Sequence, residues 1–408
     1  MLSDLLPSSE PAGAGSALKA ASVRPHVLYL AHDLDDSAVW RRVRVLETAG
    51  ARLTVAGFRR REGPLPRGCL LLGTTHDGRL GHRAASAGLA AVRLGPILRR
   101  LEKPQAIVAR NLEMLAIGAR ARHAWGGPPV RLVYEVLDIH RAMIGASVRA
   151  RALRSVEKRL GRGAALALVS SPGFVRNYFD PYGLFAGRTL LVENKVFGAP
   201  GPRPPVSAGG PPTIGWFGVL RCRWSLETLD ALTRAAPGRY RVVIRGHPAL
   251  DRIPAFHEVV AANPDLHYGG PYRSPDDLAR IYGEVRLVWM ADRYDAGLNS
   301  DWLLPNRLYE GGSQGRIPVA LDRTEVAAFL RRKGIGLVLP GPDLADAQAA
   351  LSGLTENDLA SLERAIRAVP ASTWVMSDDE VRATLAAILG QPSPAAALEP
   401  PDDHKEVA

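Results

Sequence analysis

Residues 198–212 read Gly-Ala-Pro-Gly-Pro-Arg-Pro-Pro-Val-Ser-Ala-Gly-Gly-Pro-Pro and can enter neither a helix interior nor a central strand. They stand between two stretches that each alternate short apolar runs with helical periods, and that arrangement constrains the fold more than any other feature. In the first stretch, strand-like runs at 26–31, 53–57, 106–109, 131–135, 165–170 and 190–193 are spaced by helical patterns at 38–49, 85–103, 112–124 and 147–161. In the second, strands are predicted at 213–217, 241–245, 286–290, 317–321 and 336–339. Helices are predicted near 225–236, 276–283, 305–314, 324–333, 343–351, 356–367 and 377–389. Strand–helix alternation of this kind predicts an α/β protein with two parallel, doubly wound, Rossmann-like sheets.

The predicted organisation is a disordered segment over 1–24, a first domain over 25–197, the linker, and a second domain over 213–376. A terminal helix over 377–390 is predicted to cross back to the first domain, followed by a disordered tail over 391–408. With 46% apolar and 23% charged residues, each half has material for a core of its own. No apolar run reaches the ~18 residues of a membrane span, and residues 1–25 lack the basic-then-apolar pattern of a signal peptide. Two distant cysteines, Cys69 and Cys222, fit a reducing cytoplasm better than a disulfide framework or a zinc site.

Charge is unevenly placed. The first 200 residues hold 30 Lys and Arg against 15 Asp and Glu, whereas the remainder holds 22 against 26. A basic first half predicts an anionic partner: a membrane surface, nucleic acid or a phosphorylated substrate. Within it, 85–103 reads as a basic amphipathic helix, and 141–163 carries seven Lys and Arg against Glu157 alone. That pattern suits a membrane surface. Nucleic-acid binding would call for aromatic residues among the arginines, and 141–163 has none.

The loops after the strands carry the candidate chemistry. No Gly-x-Gly-x-x-Gly follows either opening strand and no phosphate-binding P-loop occurs, which disfavours a dinucleotide oxidoreductase. Instead, Gly218 ends a strand and Arg221 and Arg223 follow before a helix, an arrangement suited to phosphate oxygens. Arg245, Gly246 and His247 close the next strand. Pro305 opens a helix whose first turn contains Asn306 and Arg307 and whose interior holds Glu310. First-turn amides there can cradle a diphosphate, and a carboxylate one turn on can accept both ribose hydroxyls. In the first half, Asp33, Asp36, Asp138 and His140 lie in loops that should face the same cleft.

Residues 213–322 resemble the donor domain of family-4-type glycosyltransferases of the GT-B fold. The chain from about 25 to 390 resembles bacterial exopolysaccharide glycosyltransferases of the succinoglycan-biosynthesis type. The resemblance implies two Rossmann-like domains facing a central cleft. It matches Glu310 to a ribose-binding glutamate and Arg221 or Arg223 to the diphosphate contact. The family often has a second glutamate eight residues earlier; Trp302 stands there, with Asp301 or Asn299 as substitutes for contact with a sugar hydroxyl. It further implies metal-independent transfer of a hexose from a nucleotide-diphosphate sugar, with UDP as a candidate carrier, to a lipid-linked saccharide acceptor. No other cofactor and no nucleic acid are expected. Asp138 is the first choice of base, with Asp33 and Asp36 as rivals and His140 as its orienter or a donor contact. Asp33-Leu-Asp35 matches a metal-dependent D-x-D only by pattern and lies in the wrong half for the donor. The expected location is the cytoplasm, peripheral on the inner membrane face. A sugar-nucleotide epimerase or hydrolase on the same fold is the alternative, and a basic nucleic-acid-binding protein a weaker one.

Overall fold

The structure, a computed structural model, describes residues 24–59, 68–74, 98, 101–198 and 210–392. Most of the segments expected to be disordered, 1–24 and 391–408, most of the basic helix 85–103 and most of the linker lie outside the described residues.

Two all-parallel sheets form the molecule. The first orders its seven strands β3-β2-β1-β4-β5-β6-β7, namely Cys69–Thr74, Arg52–Arg59, His26–Ala31, Ala106–Arg110, Arg131–Val136, Leu166–Val169 and Thr189–Leu191. The second orders six as β10-β9-β8-β11-β12-β13: Leu266–Tyr268, Arg241–Pro248, Thr213–Leu220, Leu287–Trp289, Ile317–Leu321 and Leu337–Leu339. Strand order reverses beside β1 and again beside β8, so each sheet has its switch point there, and ligand clefts open at the carboxyl ends of the strands. The continuous apolar runs of β1 and β12 are buried throughout, as strands covered on both faces must be.

The sequence predicts no element at 69–74, 256–261, 266–268 or 299–302. The structure places β3, helix Phe256–Ala261, β10 and helix Asn299–Trp302 there. All are short, and β3 is a half-exposed edge strand without the clean apolar alternation of a buried one.

Helix α1 (Ser37–Thr48) follows β1, and Asp36 caps it by accepting from Ala38 N at 2.9 Å. Helix α2 (Asn111–Ala121) follows β4 and α3 (Val148–Gly161) follows β5. In the second unit, α4 (Arg223–Ala235) follows β8, and α5 (Asn306–Ser313) precedes β12.

The two units are tied at the chain's end. Trp374 is fully buried against Phe329 and against Gly312 of α5, where any Cβ would stand 2.2 Å from the indole. Val375 then pairs with Val196, and helix α6 (Asp378–Leu389) returns to the first sheet. There Val381, Leu385 and Ile388 join the core formed by Val27, Tyr29, Val43 and Leu46. Arg131 donates to the Ile388 carbonyl at 2.9 Å, closing the last turn of α6.

Candidate active site

The carboxyl ends of the two sheets face each other. The first sheet contributes the loops after β1 (32–36), β4, β5 (137–141) and β6 (170–171). The second contributes those after β8 and β9, the segment 290–303, and the amino end of α5.

The floor of the first half is a buried charge network. Glu135, fully buried at the end of β5, accepts from Arg42 at 2.7 Å, from Arg110 at 3.0 Å and from the Tyr29 hydroxyl. Burial alone would raise its carboxyl, but Arg110 and Arg42 overcome that and hold it at about 2. Arg110 also reaches Asp36 at 3.3 Å.

That network and its surroundings sort the candidate bases. Asp36 serves as helix cap and ion-pair partner. Asp33 is buried and accepts from Asp35 N at 3.0 Å, shaping the turn. Asp138 differs: it is exposed in the loop after β5, with protein packed round its carboxyl. This desolvation raises its carboxyl, opposed by Arg221 and His140. Of the candidate bases, Asp138 is thus the exposed one whose carboxyl is raised above the ordinary aspartate. His140 is exposed two residues on, its Nδ1 accepting from Ala142 N at 3.1 Å. That contact assigns the proton of the neutral ring to Nε2.

In the second unit, Gly218 pairs with Gly246 at the ends of β8 and β9. Gly246 (φ 132°) must lack a side chain, because a Cβ would stand 1.8 Å from the Gly218 carbonyl. Gly218 (φ 112°) has open space on its own Cβ side. Arg221 lies over the Tyr294 ring, 4.6 Å from its centroid, with Arg252 at 6.0 Å and Arg141 from the first unit at 5.2 Å. One tyrosine thus gathers three guanidiniums at the cleft. Arg223 and His247 are exposed. The Arg245 guanidinium is engaged by Glu284 at 2.8 Å and the Gly269 carbonyl at 2.6 Å.

Pro305 is the N-cap of α5, opening the helix as the sequence predicts; no side chain caps it, and Leu308 N donates to the Pro305 carbonyl at 2.9 Å. Arg307 donates to the Met290 carbonyl at 3.1 Å, and its Nε is buried without a partner. Glu310 is buried and accepts from Tyr282 at 3.1 Å and from Arg41 of α1 at 3.3 Å. Arg41 also donates to Asn306 Oδ1 at 3.2 Å and the Asn194 carbonyl at 3.3 Å. Tyr272 stands close enough for Glu310 to act on its hydroxyl, which burial first and that carboxylate second push up.

Asn299 and Asp301, the substitutes for the second glutamate, both have protein partners. The Asn299 amide is spent on Ile139, accepting from its N–H at 3.0 Å and donating to its carbonyl at 2.7 Å. Asp301 accepts from Gly297 N at 2.7 Å and so holds its own loop. Trp302 packs against the first unit's core.

Sequence reasoning missed Arg41, Tyr272, Tyr282 and Tyr294. The only sequence signal for Arg41 is a basic residue one turn into the first helix. Among the described residues, no group of three or more His, Cys, Asp or Glu converges as a metal would require.

No protein-family model matches the chain. The succinoglycan biosynthesis protein ExoL of Rhizobium meliloti (strain 1021) is 44% identical over 372 residues, covering 88% of this chain and 91% of that protein. Sucrose-phosphate synthase from Thermosynechococcus elongatus superposes with a TM-score of 0.66 at 14% identity, over 86% of this chain and 96% of its own. HepE of Anabaena, solved with UDP and glucose, gives 0.65 at 14% identity, over 90% and 99%. WaaG, a glycosyltransferase involved in lipopolysaccharide biosynthesis, gives 0.63 at 13% identity, over 88% and 99%. At these identities the structural likeness carries the fold alone, and that fold is GT-B.

Proposed function

The chain belongs to the family of the succinoglycan biosynthesis protein ExoL, and from that premise we propose that it is a glycosyltransferase of exopolysaccharide assembly. In this reading a hexose passes from a nucleotide-diphosphate sugar, with UDP as the candidate carrier, to a saccharide acceptor borne on a lipid. The observation that carries it is the disposition of α5. The start of α5, which carries no side-chain cap, and the buried Glu310 belong to one unit, and the accessible Asp138, within electrostatic reach of Arg221, belongs to the other.

The diphosphate rests at the amino end of α5, where aligned peptide dipoles favour an anion. Arg307 in the first turn of that helix and Arg221, held over the Tyr294 ring, are the guanidiniums offered to it. Glu310 receives the ribose hydroxyls. Asp138 takes the proton from the acceptor hydroxyl as it attacks the anomeric carbon, and the nucleoside diphosphate departs with the electron pair of the broken bond. Its growing charge is met by fixed guanidiniums and amides without a metal.

A thermal-shift screen of nucleoside diphosphates and nucleotide sugars tests the donor half of this reading. UDP or its sugars should raise the melting temperature of the wild type, and Glu310→Ala should lose most of that rise. If no nucleotide stabilises the wild type, the donor assignment falls. Product analysis with and without lipid-linked acceptor tests the rest. An epimerised or hydrolysed sugar in place of a glycosylated lipid would favour the alternative chemistry.

A further inference from the structure

We propose that Asn299 is a positioning residue for Asp138, acting across the domain boundary; the inference rests on the reading of Asp138 as the base. Asn299 belongs to the donor unit and is 7% exposed. Its side-chain amide makes a reciprocal pair with the backbone of Ile139, the residue that follows Asp138: 3.0 Å from Ile139 N to Oδ1 and 2.7 Å from Nδ2 to the Ile139 carbonyl. The pairing needs one donor and one acceptor on a short planar group. Aspartate would set an anion against the Ile139 carbonyl, and alanine would leave both buried backbone groups without this partner.

The clamp has a stiff base. Ser300 Oγ donates to Asp292 at 3.0 Å and accepts from Asp295 N at 2.9 Å, while Asp301 holds Gly297 N at 2.7 Å. The same segment docks a second time, through the Trp302 carbonyl, which accepts from Ser171 of the first unit. Gly173 is packed there so closely that a Cβ would stand 2.4 Å from the Trp302 carbonyl oxygen. The donor unit's segment 292–302 is therefore a rigid bracket, and Asn299 is the part of it that grips the Asp138 loop. It fixes the base relative to the donor without touching either substrate. The place where the resemblance leads one to expect a sugar-binding glutamate is given over to this docking.

The test uses the full-length chain, UDP-glucose as donor probe and a lipid extract carrying the acceptor. For a base displaced by about 1 Å, kcat should fall roughly 10²-fold in Asn299→Ala. The donor KM and the thermal shift produced by UDP should stay within about threefold of wild type, the signature of an interaction felt only in the transition state. Asn299→Asp should fall at least as far. Ser171→Ala, which loosens the second docking point only, should keep more than half the wild-type rate. Asp138→Asn and the double variant Asp138→Asn/Asn299→Ala should be equally slow, because two residues acting through one group are not additive. A raised donor KM with kcat intact would overturn the inference by making Asn299 a donor contact. An equal loss in Ser171→Ala would assign the effect to the interface as a whole. If Asp138→Asn keeps its rate, the base reading fails; if Asp138→Asn is inactive while Asn299→Ala is fully active, only the positioning role fails.

Discussion

Glu135 shows how much of the first unit hangs on one side chain. It gathers Tyr29, Arg42 and Arg110, and through Arg110 reaches Asp36, the cap of α1. Removing one member of a buried charge network strands the others, at a cost of about 3–5 kcal/mol. Glu135→Gln should therefore lower the urea-unfolding free energy by about that amount at neutral pH. The pH dependence has a definite sign. The folded carboxyl is held at about 2, below its unfolded value near 4.5. Its contribution is complete above the unfolded value and is lost as pH falls towards 2. The gap between wild type and Glu135→Gln should shrink accordingly between pH 5 and pH 2.5. Asp138 runs the other way, its carboxyl raised by desolvation against the pull of Arg221 and His140. The acid limb of the kcat/KM profile should lie above the ordinary aspartate range. Arg221→Gln, which removes the larger opposing charge, should move that limb to higher pH. A limb that stays in place would separate Asp138 from the titration. These residues differ in how far the sequence exposes them. Glu310 and Pro305 are legible because their meaning lies in one helix, and Asp138 because it follows a strand. Arg41 and Asn299 act across domains on residues more than 150 positions away, and no local period encodes that.

At the scale of elements, strand and helix positions were largely readable, because buried parallel strands write themselves as unbroken apolar runs. What escaped was short or at an edge: β3, β10 and the four-residue helix Asn299–Trp302, which is set by side-chain contacts within its loop and to the first unit. Helix α5 has a further property that sequence reading passed over. Glycine is a poor helix former, yet Gly311 and Gly312 lie inside α5. They spare space, Gly312 for the Trp374 indole. Gly312→Val would force a side chain into that ring, an overpacking that costs typically about 1–3 kcal/mol. Because α5 carries the amides proposed for the diphosphate as well as Glu310, the expected result is a lowered melting temperature together with weaker UDP binding. Trp374→Ala should lose about 3–5 kcal/mol by leaving a cavity instead. Calorimetric melting with and without UDP separates the two effects.

At the scale of the molecule, the charge asymmetry acquires a place. Helix α3 lies on the acceptor unit, and its acidic residue, Glu157, is buried, accepting from Tyr134 at 2.8 Å and Tyr178 at 2.6 Å. The exposed residues of α3 and its C-cap include Arg149, Arg151, Lys158, Arg159 and Arg162 with no exposed carboxylate, and Val148 and Val156 are 75% and 49% exposed among them. No described helix is long and apolar enough to cross a membrane. A basic face carrying exposed valines can instead meet an anionic surface, each cation contributing about 1 kcal/mol near it. This is how a lipid-borne acceptor would be brought to a cleft whose Asp138 loop runs into α3 in the chain. The expectation is co-sedimentation with phosphatidylglycerol-containing vesicles, release as salt shortens the Debye length to about 3 Å near 1 M, and no binding to phosphatidylcholine alone. Replacing Arg151 and Lys158 together by glutamine should weaken vesicle binding by about 30-fold, taking two such contributions against 1.4 kcal/mol per decade. The UDP-induced thermal shift should be untouched, because these residues are remote from α5 in sequence and unit. Binding to single-stranded oligonucleotides with indifference to vesicles would reverse the assignment of the basic half.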